Sequence, residues 1–491
     1  MLTVILRWNQ KRDLIETLVN NIFKILFIFF IFFSGCSLDR KENSVFYLWD
    51  KENKVKEESQ AQLDKTKEIF KKKEILSKEF NPDLRIKLYS KLTNNSSKKN
   101  FDNNNGRINY NGNLKSISKY KFKKIENFYQ YEPEIIFNQN NIIFFDNKGA
   151  ILNFDSNSNL IWKKNYYSKV EKKQKPILFF AHNEKTLIIT DNIAKFYALN
   201  INTGELLWTK KNTAPFNSQI KIYKDKFYVI DFKNTLRAYS IKDGKEIWKK
   251  KTQDTLIRSQ KKLSLVIIKE KIYFNNSLGD ISAVDINSGN LIWQTPTQSN
   301  LIFDKGFFLK TSDIVANDQM LFFSNNQNEF FSLDIQTGNL NWKQEINSIL
   351  RPTIINNFIF TVSSEGYLIV IEKKSGNIIR INDIFKGPKK NFFSTKKGKT
   401  CQKFLSSKNV PCESINPFSK KETRSKVKPS GFIMGKEKIY LSTNNGRLLV
   451  IDINSGKVKS TLKIDSKKIS RPTIVNKNLF VITDDSIIKL N

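Results

Sequence analysis

From about residue 116 onward the chain alternates short apolar runs with polar turns, and residues 352 to 381 show the unit. Pro352-Thr353-Ile354-Ile355, Phe358-Ile359-Phe360-Thr361-Val362, Tyr367-Leu368-Ile369-Val370-Ile371 and Ile378-Ile379-Arg380-Ile381 are its apolar runs. Asn356-Asn357, Ser364-Glu365-Gly366 and Ser375-Gly376 divide them. Such runs, bounded by turn formers, predict strands. Four short antiparallel strands per unit are the content of one propeller blade.

Each unit carries a phrase, clearest at Asp285-Ile286-Asn287-Ser288-Gly289-Asn290-Leu291-Ile292-Trp293. Counted by its glycine position, the phrase falls at Asn159, Gly204, Gly244, Gly289, Gly338, Gly376 and Gly456. A period of roughly 40 to 50 residues means a propeller or solenoid. The last interval is about twice as long. Its surplus, residues 386–426, is rich in Lys and Ser with no alternation, which predicts an inserted loop rather than a degenerate blade. After the seventh unit three runs remain: Pro472 to Val475, Leu479 to Ile482 and Ile487 to Leu490. The segment Ile117 to Ile125 is expected to supply the missing fourth strand, so that no sheet edge stays open at the seam. The expectation is an all-β fold, an eight-bladed β-propeller of four-stranded blades over residues 116–491.

The residues of the phrase suit a turn between a third and a fourth strand. An acid at its start accepts hydrogen bonds from backbone N–H groups two residues on. Glycine supplies positive φ at little steric cost. The closing tryptophan can bury roughly 150–250 Å² between neighbouring blades, with its N–H bonded to the adjacent turn. Trp162, Trp208, Trp248, Trp293 and Trp342 hold this blade-docking place, while Arg380 and Ser460 replace it in two units. Those two junctions are expected to be the weaker ones.

The unit Ser282-Ala283-Val284-Asp285-Ile286-Asn287-Ser288-Gly289-Asn290-Leu291-Ile292-Trp293 resembles the pyrroloquinoline-quinone-type repeat, Ala-x-Asp-x-x-Thr-Gly-x-x-x-Trp. That repeat serves quinoprotein dehydrogenases and the BamB family of outer-membrane assembly lipoproteins. The dehydrogenases imply a quinone pocket with calcium, an acidic base and often a vicinal disulfide. This chain has no Cys-Cys pair, no compact acidic cluster in a repeat-linking loop and none of the large extra segments that build such a pocket. The resemblance to BamB therefore implies a scaffold, with no catalytic residues, no cofactor and no metal.

The front of the chain fits that resemblance. Residues 1–35 read as an export signal: Arg7, Lys11, Arg12 and Lys24 precede the apolar run Ile25 to Phe33. The run is too short for a bilayer, which needs about 20 residues, and it suits a signal segment. Phe33-Ser34-Gly35-Cys36 resembles a bacterial lipobox, which implies lipidation at Cys36 and a stable lipid anchor. Ser37 follows, which in such lipoproteins implies the outer membrane, on its periplasmic face. Residues 36–115 are expected to be a tether, partly helical and partly disordered, because the stretch Asn94 to Asn113 has little to bury.

In the BamB family a loop after the tryptophan of the third unit carries Leu-x-Leu-Arg and holds the assembly barrel BamA. Trp248 is followed here by Thr255-Leu256-Ile257-Arg258. The resemblance thus implies partner binding by Leu256, Ile257 and Arg258, an arginine capable of bidentate bonds beside an apolar contact. The partners implied are a BamA-type outer-membrane barrel and other assembly-complex components. The acidic pair that the family places before its fifth unit is absent, since Phe307 to Ser312 reads Phe-Phe-Leu-Lys-Thr-Ser. A lipid-anchored propeller that binds a polysaccharide or another periplasmic protein remains the alternative.

Composition adds exclusions. Net charge is +36, from 83 basic and 47 acidic residues. Such a surface attracts polyanions, but the lysines are spread over linkers and turns without a nucleic-acid-binding signature, so no nucleic acid is expected. One histidine, His182, and three cysteines disfavour a Ser-His-Asp triad or a zinc hydrolase. His182 follows an apolar run and reads as a loop-edge residue. Cys401 and Cys412 sit inside the insertion and are a disulfide candidate in an exported protein. A loop of that size would remove up to about 3 kcal/mol of unfolded-state entropy in the chain model.

Overall fold

The computed structural model describes residues 106–126, 128, 133–253, 261–297, 309–385 and 427–491, with Ile86, Leu88, Tyr89, Leu92 and Thr93. Cys36, the segment from Leu256 to Arg258, and the insertion with Cys401 and Cys412 lie outside the described residues.

Eight four-stranded antiparallel sheets form the eight blades of a propeller. Blade one is Ile136–Asn138, Asn141–Phe145, Ile151–Phe154 and Leu160–Lys164, and blade two runs from Leu178–His182 to Leu206–Lys211. Blade three starts at Lys221–Tyr223, blade four at Leu265–Ile268, blade five at Val315–Ala316, blade six at Thr353–Ile355 and blade seven at Pro429–Met434. In these seven the strand order follows the chain. Blade eight is Thr473–Val475, Asn478–Ile482 and Ser486–Leu490, with Ser116–Lys121 as its outermost strand.

The seam therefore closes as the run count predicts. Tyr120 stands opposite Ile487 and Lys121 opposite Ser486 in an antiparallel ladder. Lys115 and Asn491 exchange backbone hydrogen bonds beyond it, at 2.9 and 3.0 Å. Lys119–Asp485, exposed, and Lys124–Asp484, in which the acid is buried, add ion pairs at 3.9 and 3.5 Å.

Burial explains the sequence pattern. The second and third strands of each blade are covered on both faces by neighbouring blades, as in Thr186–Asp191 and Lys195–Asn200. Strands covered on both faces read as nearly continuous apolar runs. Outermost strands such as Leu206–Lys211 are largely exposed, whereas Ile378–Asp383 of blade six is buried or half-buried throughout. The first strands line the axis, where Ser218 and Leu263 of successive blades form a parallel bridge.

Strand direction assigns the turns to two faces. The 1–2 and 3–4 turns, including every phrase, lie on one face of the ring. The 2–3 turns and the links between blades lie on the other.

Part of the segment expected to be tether is held against the ring. Gly106 N–H donates to the Ile354 carbonyl at 2.7 Å, and Arg107 donates to the Lys436 carbonyl at 2.7 Å. Ile86, Ile108 and Tyr110 are buried. Tyr110 meets Tyr440 edge to face with centroids 5.1 Å apart. Between blades one and two lies a single helical turn, Lys169–Lys173, with a capping box made by Ser168 and Glu171. Among the described residues no helix is long and apolar enough to cross a membrane.

Candidate functional site

The phrase builds the contact between blades. Asp285 Oδ1 accepts from Asn287 N–H at 3.0 Å, Ser288 N–H at 2.8 Å and Ser288 Oγ at 2.8 Å. These bonds hold its carboxyl below the usual range, the Ser288 backbone contributing most. Gly289 takes φ +73°, and a Cβ there would stand 2.5 Å from the Trp248 ring. The glycine is thus required twice, by its backbone and by the indole of the preceding blade lying against it. Gly204, Gly244, Gly338 and Gly376 lie in the same way on Trp162, Trp208, Trp293 and Trp342.

Each indole N–H donates to a carbonyl of the next phrase. Trp162 reaches Asn202 at 2.8 Å and Trp208 reaches Ile241 at 2.9 Å. Trp248 reaches Ile286 at 3.3 Å, Trp293 reaches Ile335 at 3.2 Å and Trp342 reaches Lys373 at 3.1 Å.

At the junction after blade six Arg380 stands where blades one to five have tryptophan, and its Nη1 donates to the Asn454 carbonyl of the next phrase. One expectation about the phrase needs correction. In the first unit the left-handed residue is Ser158, at φ +70°, rather than Asn159. That turn is one residue shorter from acid to tryptophan, and Asn159 instead donates to Asp155 from both its backbone and its side chain. The sequence reading also missed Tyr120. Its hydroxyl donates to the Ser156 carbonyl at 3.1 Å, serving the junction of blades eight and one as an indole serves the others.

A second turn device lies on the opposite face. Asp146, Asp191, Asp231, Asn276 and Asn325 each accept two backbone N–H groups of their own 2–3 turn through Oδ1. Asp191 also accepts from Tyr167 Oη at 2.6 Å. Burial outweighs these bonds and pushes the Asp191 carboxyl up to about 6. Asp231 Oδ2 receives Arg237 Nε at 2.9 Å, and the same guanidinium pairs with Glu246.

The strand that carries Trp248 ends on this second face, where blade four also starts. The stems of the loop between them are tied to blade three. Thr252 N–H and Oγ1 both donate to the Asn234 carbonyl, at 3.1 and 3.0 Å. Asn217 Nδ2 donates to the Lys261 carbonyl at 3.2 Å, and Leu263 N–H donates to the Asn217 carbonyl at 2.8 Å. Leu256, Ile257 and Arg258 belong to the part between these stems.

Beside the loop, charged side chains converge where the first strands begin. Lys262 of blade four donates to Glu134 at the entry of blade one, at 2.7 Å. Gln219 of blade three donates to Asp313 of blade five at 3.1 Å, and Arg351 of blade six stands 3.7 Å from the same oxygen. Lys261 reaches the Ile349 carbonyl at 2.6 Å, and Arg471 of blade eight reaches the Phe432 carbonyl at 3.0 Å. Burial opposes ionisation of Asp313, but Lys261, Arg351, Lys262 and Arg471 outweigh it and hold the carboxyl at about 2. The cluster is an electrostatic tie between blades across the axis. Its sequence signal was the repeated entry Arg351-Pro352-Thr353 and Arg471-Pro472-Thr473.

His182 ends the first strand of blade two, and its Nδ1 lies 3.1 Å from the Asn183 carbonyl. Burial lowers its pKa. Among the described residues no group of three His, Cys, Asp or Glu side chains is placed to hold a metal ion.

Residues 141–382 match the family model described as outer membrane protein assembly factor BamB. No curated protein sequence matches the chain. The crystal structure of BamB from Moraxella catarrhalis is similar, with a TM-score of 0.56 at 15% identity, over 77% of this chain and 99% of that one. The computationally designed Ika8 protein gives 0.52 at 10% identity, over 77% and 99% of the two chains. Quinohemoprotein alcohol dehydrogenase ADHIIG from Pseudomonas putida HK5 also gives 0.52 at 10% identity, over 79% and 78%. At these identities the structural likenesses establish the ring fold.

Proposed function

We propose that this chain, a BamB-type propeller by its match over residues 141–382, is a non-catalytic scaffold for the assembly of β-barrel proteins into the outer membrane. It acts from the periplasmic face, anchored by lipid at Cys36, and binds a BamA-type barrel. The family match is the observation that carries this reading. Two features support it. The ring is stapled at successive blade junctions, so it presents its loops as a rigid body. The loop carrying Leu256, Ile257 and Arg258 springs from stems fixed to Asn234 and Asn217. A fixed stem lowers the ordering cost of binding. Arg258 would form the polar anchor, with Leu256 or Ile257 filling an apolar recess beside it.

Affinity purification of the full chain from detergent-solubilised envelopes tests the reading. Recovery of a BamA-type barrel, lost on Arg258→Glu, is expected. Undiminished recovery with that variant removes the loop from the interface, and no barrel with the parent chain removes the partner. The likeness to an alcohol dehydrogenase gives the competing reading a direct assay: quinone-dependent dye reduction by the purified protein would overturn the non-catalytic assignment.

A further inference from the structure

Exposed aliphatic surface on this ring is not scattered. Among the described residues eight of the ten exposed large aliphatic side chains stand on outermost strands just after the phrase turns, the other two being Ile117 and Val170. The cause is a bulge. In blade one Trp162 faces Asn153 and Leu160 faces Phe154, so Ile161 is an extra residue in the ladder. The same shift recurs before Trp208 and Trp248. A bulge puts an extra residue on one strand and breaks the strict alternation of sides. Two successive residues before each tryptophan then turn outward. Leu160, Ile161, Leu206, Leu207 and Ile247 each expose between 39% and 53% of their surface.

Beyond the tryptophan the same three strands become basic, as Lys163-Lys164, Lys210-Lys211 and Lys249-Lys250-Lys251. Lys163 pairs with Asp146, Lys211 with Glu171 and Lys249 with Glu246, and the seven lysines of the three strands outnumber these three acids, so the strip keeps a positive balance. The rim of blades one to three is thus a band of aliphatic side chains bordered by lysines. Blades four and five continue the aliphatic band with Leu291, Ile292 and Leu340, but Gln294-Thr295 and Lys343-Gln344 replace the lysine pairs.

We infer that the rim of blades one to three rests on an anionic lipid bilayer. An aliphatic strip inserts at the level of the headgroups while flanking lysines reach the phosphates, the chemistry of an interfacial anchor. Long lysine side chains keep their charge in the polar layer while their stems cover apolar surface. The strips of the three neighbouring blades share this pairing of aliphatic and basic side chains, and the net charge of the chain has the sign that attracts a negatively charged surface. The inference does not depend on the assembly role or on lipidation. It sets the ring edge-on to the membrane, leaving both turn faces open.

The test is sedimentation of the full chain carrying Cys36→Ser, so that lipidation contributes nothing, with phosphatidylglycerol–phosphatidylcholine vesicles. The combination Ile161→Asp with Leu207→Asp is expected to lower binding at least tenfold. Leu340→Asp, the same change on a blade without lysine pairs, is expected to leave it within twofold. Raising the salt and omitting phosphatidylglycerol should each weaken the parent severalfold. Tryptophan fluorescence checks that every variant is folded. Equal binding by the parent and the double variant overturns the inference, as does equal binding to phosphatidylcholine alone. Loss of an acidic protein partner without loss of vesicle binding assigns the strip to a protein and also overturns it.

Discussion

Arg380 donates from its guanidinium to the Asn454 carbonyl, across the junction of blades six and seven, where earlier junctions use an indole. The two side chains share one property, an N–H that donates to a carbonyl of the next blade's phrase. Arg380→Ala is therefore expected to cost about 1 kcal/mol, the worth of an exposed hydrogen bond. Trp248→Ala, which also removes packing on Gly289, is expected to cost about 3 kcal/mol. Ser460→Trp should give no gain, because no phrase turn faces it: blade eight takes its third and fourth strands from opposite ends of the propeller. Urea unfolding of the three variants ranks them, and a gain at Ser460 would refute this account of the junctions.

Gly289 has two reasons to be glycine, and they separate experimentally. Gly289→Ala meets both the left-handed backbone and the Trp248 ring, and is expected to cost about 2 kcal/mol or more. Pairing it with Trp248→Ala relieves the collision but not the backbone. The double variant should then be more stable than the sum of the single effects, by roughly 1 kcal/mol in a double-mutant cycle. Strict additivity would mean that the indole does not press on the turn.

Tyr120 holds the seam. Tyr120→Phe keeps the ring, which meets Phe154 edge to face with centroids 5.7 Å apart, and loses the bond to Ser156. A loss of about 1 kcal/mol is expected. Amide exchange should quicken first in Ser116–Lys121 and Ser486–Leu490, and uniform exchange across all blades would contradict a local role.

Asp191 and Asp313 predict opposite responses to pH. The Asp191 carboxyl is raised in the folded protein from 3.8 to about 6. As pH rises through this window the unfolded chain releases a proton that the folded chain retains, so stability falls and the cost is complete above about pH 6. Asp191→Asn should thus gain on the parent between pH 4 and 7, by on the order of 2 kcal/mol. Asp313 is lowered to about 2, so its contribution is present above about pH 4 and is lost as pH falls toward 2. Asp313→Asn should therefore be destabilising at pH 7 and nearly neutral at pH 2. Denaturant midpoints across this range check both signs.

The blade count, the strand runs and the closing strand were legible because each repeats or completes a repeat. Single departures were not. Ser158 takes the left-handed place through a turn one residue shorter, which spacing by glycine hides. Arg380 does the work of an indole by chemistry that a search for tryptophan passes over. Tyr120 sits outside any phrase, yet it meets the first phrase because the ring brings the two together. The axial cluster draws its members from six blades, and only the recurring basic residue before Pro352 and Pro472 hinted at it. Long-range electrostatic contacts leave little local pattern, whereas a turn carries its own.

The outermost strand of blade eight also sets the order in which the protein can form. Of the described blade strands, Ser116–Lys121 emerges first during synthesis and its partner Ser486–Leu490 after all the others. A ladder between segments so far apart carries the full loop-closure cost before any contact rewards it. Until the last blade arrives, Ser116–Lys121 is an unpaired strand, and Ile117 within it is apolar. Closure is then the final cooperative step. Interrupting the chain before residue 486 should release an open, aggregation-prone arc instead of a smaller ring.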